Sequence, residues 1–540
     1  MRRRDFVKAA AIGSGIFALQ PITSCTPKTT HKETYEGATS FQKDTELDEK
    51  TIDDLQQMMK NGEISSVQIV QKYLDRIHEI DYQGPELRSI IELNPEAISI
   101  AKKMDNERKS GSIRGPLHGI PIIIKDNIDT GDKMHTTAGS LALEEFKAEM
   151  DAFIVSQLRK SGAVLIGKSN LSEWANIRST RSTSGWSGRG GQVRNPYILD
   201  RTPCGSSSGT AVAVAANLCS IGIGTETDGS VVCPSAINGI VGIKPTIGLW
   251  SRHGIIPISH NQDTAGPMAR TVTDAAILLG ALTGIDKYDS ASIASEGHFH
   301  TDYTRFLNKN GLKGARIGVI KDFYGFDPNV DKLLNKQHNL MIDNGAELIK
   351  VECAKNRKEW GNAEWTVLLY ELKHDMNKYL SEHRNAKLKT LKDIIDFNNA
   401  NADTEMPWFG QEIFLEAESK GSLDEKEYKD ALRISKELSQ RAVATAIEEN
   451  KLDALIAPTN APAWTIDWVN GDHFIGGSSD LAAVSGYPSI TVPAGFIHEL
   501  PIGISFFGKA WSEPVLLKLA YSYEQLSLNR KKPTFIKSIK

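Results

Sequence analysis

The sequence predicts an α/β protein, a single large three-layer α/β/α domain with a mixed central β-sheet and a helical insertion. Three observations predict it. From about Glu49 onward, segments with helical apolar spacing alternate with short β-branched apolar runs, the pattern of helices packed on a sheet. Residues 355–450 are richer in helix formers and charge than their flanks, and read as the insertion. No repeat at solenoid periods and no Pro-rich linker follows residue 48, so one domain over 49–536 is the simplest account.

Residues 1–25, MRRRDFVKAAAIGSGIFALQPITSC, have a basic start, about 14 mostly apolar residues and then small ones. That stretch is too short to span a bilayer and suits the h-region of a signal peptide. Arg3-Arg4-Asp5-Phe6-Val7-Lys8 resembles a twin-arginine export signal. Ile22-Thr23-Ser24-Cys25 resembles a bacterial lipobox, in which Cys25 would be acylated and become the mature N-terminus. The alternative is a plain signal peptide with a chance cysteine, but its usual A-x-A site is absent. Residues 26–48 are polar and aperiodic, as expected of a tether. Together these predict an exported domain, periplasmic or on the cell-envelope face, that meets the membrane by its lipid anchor only.

Val67, Val70, Tyr73, Leu74 and Ile77 recur at helical spacing, with Ser65 or Ser66 as the N-cap. HGIPIIIKDNI (118–128) reads as a buried strand ending near Lys125, and AVLIGK (163–168), after helical text, reads the same way. TAVAVAANL is an Ala-rich helix, CSIGIG a strand and TETDGS a loop. ALIAPT (454–459) and YPSITVPAGF (487–496) return to strand-and-turn text.

Bulk properties exclude some functions. The 540 residues carry 63 Lys and Arg against 67 Asp and Glu, a net charge of −4. With no long basic run there is no electrostatic footprint for nucleic acid. Five cysteines, none in a C-x-x-C pair, are too few for a disulfide scaffold of this length.

The stretch CGSSSGT (204–210) poses the functional question. Gly205-Ser206-Ser207-Ser208-Gly209 satisfies G-x-S-x-G, the turn on which α/β-hydrolases expose a serine, and it also fits a flexible joint. A joint should separate two units, yet this stretch opens directly into an apolar helix. An elbow needs an apolar strand just before it, yet QVRNPYILDRTPC holds two prolines and several polar residues. A third reading places the reactive serine in GTETDGS (224–230). There the backbone N–H groups of Thr227, Asp228, Gly229 and Ser230 could converge on one carbonyl oxygen as an oxyanion hole. Ser230 would attack, Ser206 would relay the proton, and Lys125 would accept it if burial keeps its amine neutral. Serine is common in loops and a lysine after a strand is ordinarily a solvated end, so spacing alone leaves this open.

The blocks GIPIIIKDNIDT, PCGSSSGTAVAVAANL, IGTETDGSVVCPSAINGIVGIKPTIG and DTAGPMARTVTDAA, in this order and spacing, resemble the amidase signature family. The resemblance extends from the helices near residue 50 to the closing SGYPSITVPAGF and LPIGISFFGKAWSEPVLLKLAYSYE, and its most specific motif covers 203–251. It implies a Lys–Ser–Ser triad in a cofactor-free amidase. Ser230 would be the acyl-forming nucleophile, Ser206 a bridging serine held by a cis peptide bond, Lys125 the base, and Ser207 a supporting hydrogen-bonding residue. The family commonly reads Thr-Asp-x-Gly-Gly-Ser-Ile-Arg where this chain has Thr225-Glu226-Thr227-Asp228-Gly229-Ser230-Val231-Val232. Asp228 replaces a glycine and is among the few residues tolerant of left-handed φ. Val232 removes a buried charge. This variant, with residues 184–197 and 251–270, resembles bacterial peptide amidases and implies the C-terminal amide of peptides as substrate, with release of ammonia.

Three other functions remain in view. The amidase subunit of the tRNA-dependent amidotransferase shares fold and triad but works in a cytosolic complex, which an export signal opposes. A general aliphatic or fatty amide hydrolase is another. A surface lipoprotein that only binds peptides is opposed by the intact Lys125–Ser206–Ser230 set. Cys204, Cys219 and Cys233 read as small buried fillers. His298 and His300 have no ligand partners nearby in sequence, so neither a metal nor a cofactor is expected.

Overall fold

The computed structural model describes residues 45–539. Eleven strands form one mixed sheet. From one edge they run Ile90–Leu93, Val164–Ser169, Pro121–Lys125, Ile221–Glu226, Thr264–Ala269 and Val241–Lys244. They continue Ser489–Ile497, Leu500–Phe507, Ala454–Pro458, Arg316–Ile320 and Glu347–Val351. Pairing is parallel on both sides of Pro121–Lys125 and among Ala454–Pro458, Arg316–Ile320 and Glu347–Val351. The other neighbours are antiparallel. Strands such as Pro121–Lys125, Val164–Ser169 and Ile221–Glu226 are buried along their whole length, which is why they read as continuous apolar runs. Helices complete the three-layer α/β/α arrangement.

Local chemistry sets the helix ends. Of the two candidate serines it is Ser65 that caps Ser66–Arg76, accepting from the Gln68 N–H while the Gln68 side chain accepts from its own. The helix Ser208–Ala215 is buried on every face. Its small residues let it lie directly on the sheet, and a methyl on Gly222 would stand 2.5 Å from Thr210 Cγ2. The expected insertion lies between Glu347–Val351 and Ala454–Pro458. It holds the helices Arg357–Glu382, Leu391–Ala400, Ala402–Glu405, Glu412–Glu418 and Lys426–Asn450, with an apolar cluster that includes Leu372, Leu391, Ile394 and Phe414. Buried Arg178 fastens it to the rest, donating to Glu405 O while Nη1 sits 3.0 Å from Glu173 Oε1.

One boundary differs from expectation. Residues 45–48, assigned to the tether for their polarity, pack on the domain: Leu47 is 2% exposed and Asp48 pairs with Lys532. Their polar groups are engaged in ion pairs, which composition alone cannot distinguish from solvation. Beside them Glu49 takes a two-point bond from Arg530, at 2.7 and 2.8 Å, and Arg530 also donates to Ala215 O and Gly239 O. The export signal, the lipobox with Cys25 and residues 26–44 of the tether lie outside the described residues. Among the described residues no helix is long and apolar enough to cross a membrane.

Gly209, in the first turn of the helix Ser208–Ala215, has no room for a side chain, since a Cβ would stand 2.3 Å from Ser89 O and 2.4 Å from Asn170 O. Both obstacles are backbone. Gly209→Ala is expected to destabilise the fold by about 1–3 kcal/mol, read as a lower midpoint of urea unfolding.

Candidate active site

Lys125 ends its strand where parallel pairing sets Ile124 opposite Ile223, so its amine emerges beside Thr225. Nζ donates to Ser206 Oγ at 2.7 Å, Thr225 Oγ1 at 2.9 Å and Thr225 O at 3.2 Å. Asn127 Nδ2 steadies Thr225 Oγ1 from 3.0 Å. Lys125 is wholly buried, and burial pushes its amine down to about 7 against the opposing pull of Asp263 and Glu226. A neutral amine has two N–H bonds and one lone pair. It can donate to the two Thr225 oxygens and accept from the Ser206 hydroxyl.

Ser206 follows a cis peptide bond from Gly205. Gly205 is required by proximity, because a Cβ there would lie 2.2 Å from Ser172 Oγ. Ser172 N donates to Ser206 O at 3.0 Å and fixes the turn. Ser207 Oγ donates to Thr225 O at 3.0 Å and accepts from Thr225 N at 3.1 Å, while its N–H donates to Ser230 O at 3.2 Å. Ser208 Oγ donates to Cys204 O at 2.6 Å. Of the three serines in G-x-S-x-G, only Ser206 meets the lysine.

Ser230 lines a cleft of about 190 Å³ together with Gly205, Ser206, Thr227 and Asp228. Among the described residues no hydrogen bond joins Ser206 Oγ to Ser230 Oγ, and no protein group accepts the N–H groups of residues 227–230. These four donors stay available, as an oxyanion site requires. The left-handed residue among them is Gly229, at φ 77, and not Asp228 as expected. Glycine takes that conformation at no steric cost, so aspartate's tolerance is not called upon. The Asp228 carboxyl is raised to about 7, by burial first and then by Asp480 and Glu226. Val232 leaves no guanidinium to pair, and Glu226 Oε2 instead accepts from Val231 N at 2.7 Å and Val232 N at 3.0 Å. Thr227 Oγ1 donates to Asp263 at 2.6 Å, and burial raises that carboxyl to about 6.

Some parts were not foreseen. Trp174, Ala175 and Asn176 hold φ values of 51, 53 and 75 in succession, a conformation costing on the order of 1 kcal/mol per residue. Ala175 and Asn176 form a wall of the cleft. A neighbouring cavity of about 340 Å³ shares Ala175, Thr227 and Ile258 with it. At that cavity the ligating atoms of His260, His374 and Asp375 lie within 4.8 Å of one another, and both imidazoles hydrogen-bond to Asp375. These three could hold a metal ion, whereas His298 stacks on Trp511 and His300 bonds Arg305. Cys204 and Cys233, expected as fillers, form a disulfide with Cα atoms 6.2 Å apart, while Cys219 and Cys353 are free and buried.

Fold and site together define a class of enzyme. The chain belongs to the amidase family, described as Amidase, whose sequence model matches residues 68–517, and it is accordingly a hydrolase of C–N bonds. Within that class it is similar to the native peptide amidase from Stenotrophomonas maltophilia, at 48% identity and TM-score 0.87 over 91% of this chain and 99% of that one. An amidase family protein from Bacillus anthracis str. Ames is 37% identical, with TM-score 0.82 over 90% and 93% of the two chains. A glutamyl-tRNA(Gln) amidotransferase subunit from Halorhodospira halophila is 33% identical over 89% of this chain and 98% of its own.

The Lys125 amine makes folding stability depend on pH. Between about 7, its folded value, and 10.5, its ordinary one, the unfolded chain holds a proton that the folded chain lacks, so stability rises with pH across this window. Lys125→Met removes the effect. The stability of the wild type minus that of the variant is expected to climb by up to about 1.4 kcal/mol per pH unit, measured by urea unfolding. A flat difference would return the amine to its ordinary value.

Proposed function

We propose that this enzyme hydrolyses the C-terminal carboxamide of peptides and releases ammonia, using Lys125, Ser206 and Ser230. The observation that carries this reading is the buried Lys125 amine, with a pKa near 7, bonded to Ser206 at 2.7 Å beside the Ser230 cleft. Ser230 Oγ attacks the amide carbon and passes its proton to Ser206, whose own proton moves to Lys125. The negative oxygen of the tetrahedral intermediate is received by the N–H groups of Thr227, Asp228, Gly229 and Ser230. On collapse the proton returns through Ser206 to the leaving nitrogen and ammonia departs. Water then repeats the path and frees the acid. Thr225 holds the amine and Ser207 holds both loops, so neither needs to exchange a proton.

The substrate follows from access and kinship. Ser230 is 8% exposed in a cleft of about 190 Å³. A terminal –CONH₂ can reach it, whereas an internal amide would need chain on both sides. Similarity to a peptide amidase at 48% identity supports the same choice. Export is supported by the signal-like residues 1–25 and by the Cys204–Cys233 disulfide, since such bonds persist in oxidising compartments. The activity then lies in the periplasm or on the cell envelope, with Cys25 as the lipid attachment.

Ser230→Ala is expected to lower kcat by on the order of 10⁴-fold or more in a fold unchanged by circular dichroism, and Ser207→Ala far less. The wild-type rate should rise with pH about a midpoint near 7, because the neutral amine is the base. Ammonia release across pH checks both. A rate independent of pH would remove Lys125 as the base.

Substrate choice is tested with a peptide amide, the same peptide as free acid, and a long-chain fatty amide. Ammonia is expected from the first alone. Ammonia from the fatty amide alone, or cleavage inside the free acid, would overturn the peptide-amide assignment.

A further inference from the structure

We propose that the Cys204–Cys233 disulfide positions the reacting serines, and that the enzyme is competent only once this bond has formed. The inference rests on the reading of Ser206 and Ser230 as the reacting pair. Cys204 stands two residues before Ser206 and Cys233 three after Ser230, so the bond ties one serine loop to the other. Little else does. Ser207 N donates to Ser230 O at 3.2 Å and Asn238 Nδ2 donates to Pro203 O at 2.8 Å, while the two serine hydroxyls share no hydrogen bond.

Each sulfur also acts on a backbone turn that the chemistry needs. Cys204 sits at φ 55, a left-handed conformation unusual for a residue with a side chain. Freed from its partner, it can relax to negative φ and carry Gly205 and Ser206 away from Lys125. Cys233 lies in the first turn of the helix Val232–Ile237, and its N–H donates to Gly229 O at 2.8 Å. Gly229 is the left-handed residue of the segment that carries the four N–H groups. Both cysteines are nearly buried, at 5% and 8% exposure, so the tie is sheltered once made.

In forming the bond, the two thiols yield two protons and two electrons to the disulfide of a dithiol oxidase, which becomes two thiols. Activity therefore appears in an oxidising compartment and stays low in a reducing one.

The test compares the purified wild type, the C204S/C233S variant, and the wild type reduced with a phosphine. The phosphine takes up the oxygen of one water as both sulfurs leave as thiols. Readouts are kcat and KM on a peptide amide, the rate of fluorophosphonate labelling at Ser230, and far-UV circular dichroism. In the double variant and the reduced wild type, kcat is expected to fall by on the order of 10²-fold with KM within about twofold. Labelling should slow in step while the dichroism is retained, and phosphine should not affect the double variant further. A double variant with wild-type kcat and labelling would overturn the proposal. So would loss of the dichroism together with activity, since the bond would then hold the fold and not the serines. If the oxidised wild type is not labelled at Ser230, the triad reading fails instead, and the two failures are distinct.

Discussion

A lysine amine sealed from water governs this site. An ammonium ion removed from solvent must be surrounded by compensating charge or give up its proton. Here the surroundings fall between those limits. Thr225 supplies two acceptor oxygens and Ser206 a third contact, while Glu226 and Asp263 oppose the burial that drives the proton off. Asp263 is itself raised to about 6 by burial, so the balance settles near neutrality. The placement depends on the sheet. Only the parallel pairing of Pro121–Lys125 with Ile221–Glu226 brings Thr225 to the amine, and only the packing of the helix Ser208–Ala215 on that pair brings Ser206 to it.

Chemistry and shape come from different parts of the chain. Lys125, Ser206 and Ser230 sit on strand ends and turns of the sheet, where buried backbone leaves little freedom. The helical insertion contributes Leu368 to the cleft wall and Glu364, which accepts from Gln262 at 2.8 Å. Variation in the insertion can therefore reshape the cleft without moving Lys125, Ser206 or Ser230, as loops on a rigid scaffold do elsewhere.

What could be read from the sequence follows the same division. Strands buried on both faces leave long apolar runs, so Pro121–Lys125 and Ile221–Glu226 were legible, and the charged text of 355–450 marked the insertion. Ser65 could have been preferred to Ser66, because Gln68 stands three residues on and completes a capping box. Gly229 beside Asp228 likewise carried the signal for the left-handed turn. Other features left no trace. The burial of Lys125 is a product of strand pairing, and local text reads it as an exposed end. The disulfide joins cysteines 29 residues apart, and connectivity is not written in spacing. Trp174, Ala175 and Asn176 adopt glycine-like φ with no glycine among them, and Trp174 is held by partners distant in sequence, its N–H donating to Ala138 O and its ring packing on Phe414.

The bond between Glu49 and Arg530 spans 481 positions, and the middle of the sheet pairs Val241–Lys244 with Ser489–Ile497. Such contacts cannot form while the ribosome still holds the last strands. At about 5–20 residues per second, synthesis of a chain this long takes on the order of a minute. Throughout that time the early strands present unpaired edges to whatever is nearby. Completion of this sheet is thus a post-synthetic event, fixed by how far apart in sequence its paired strands lie.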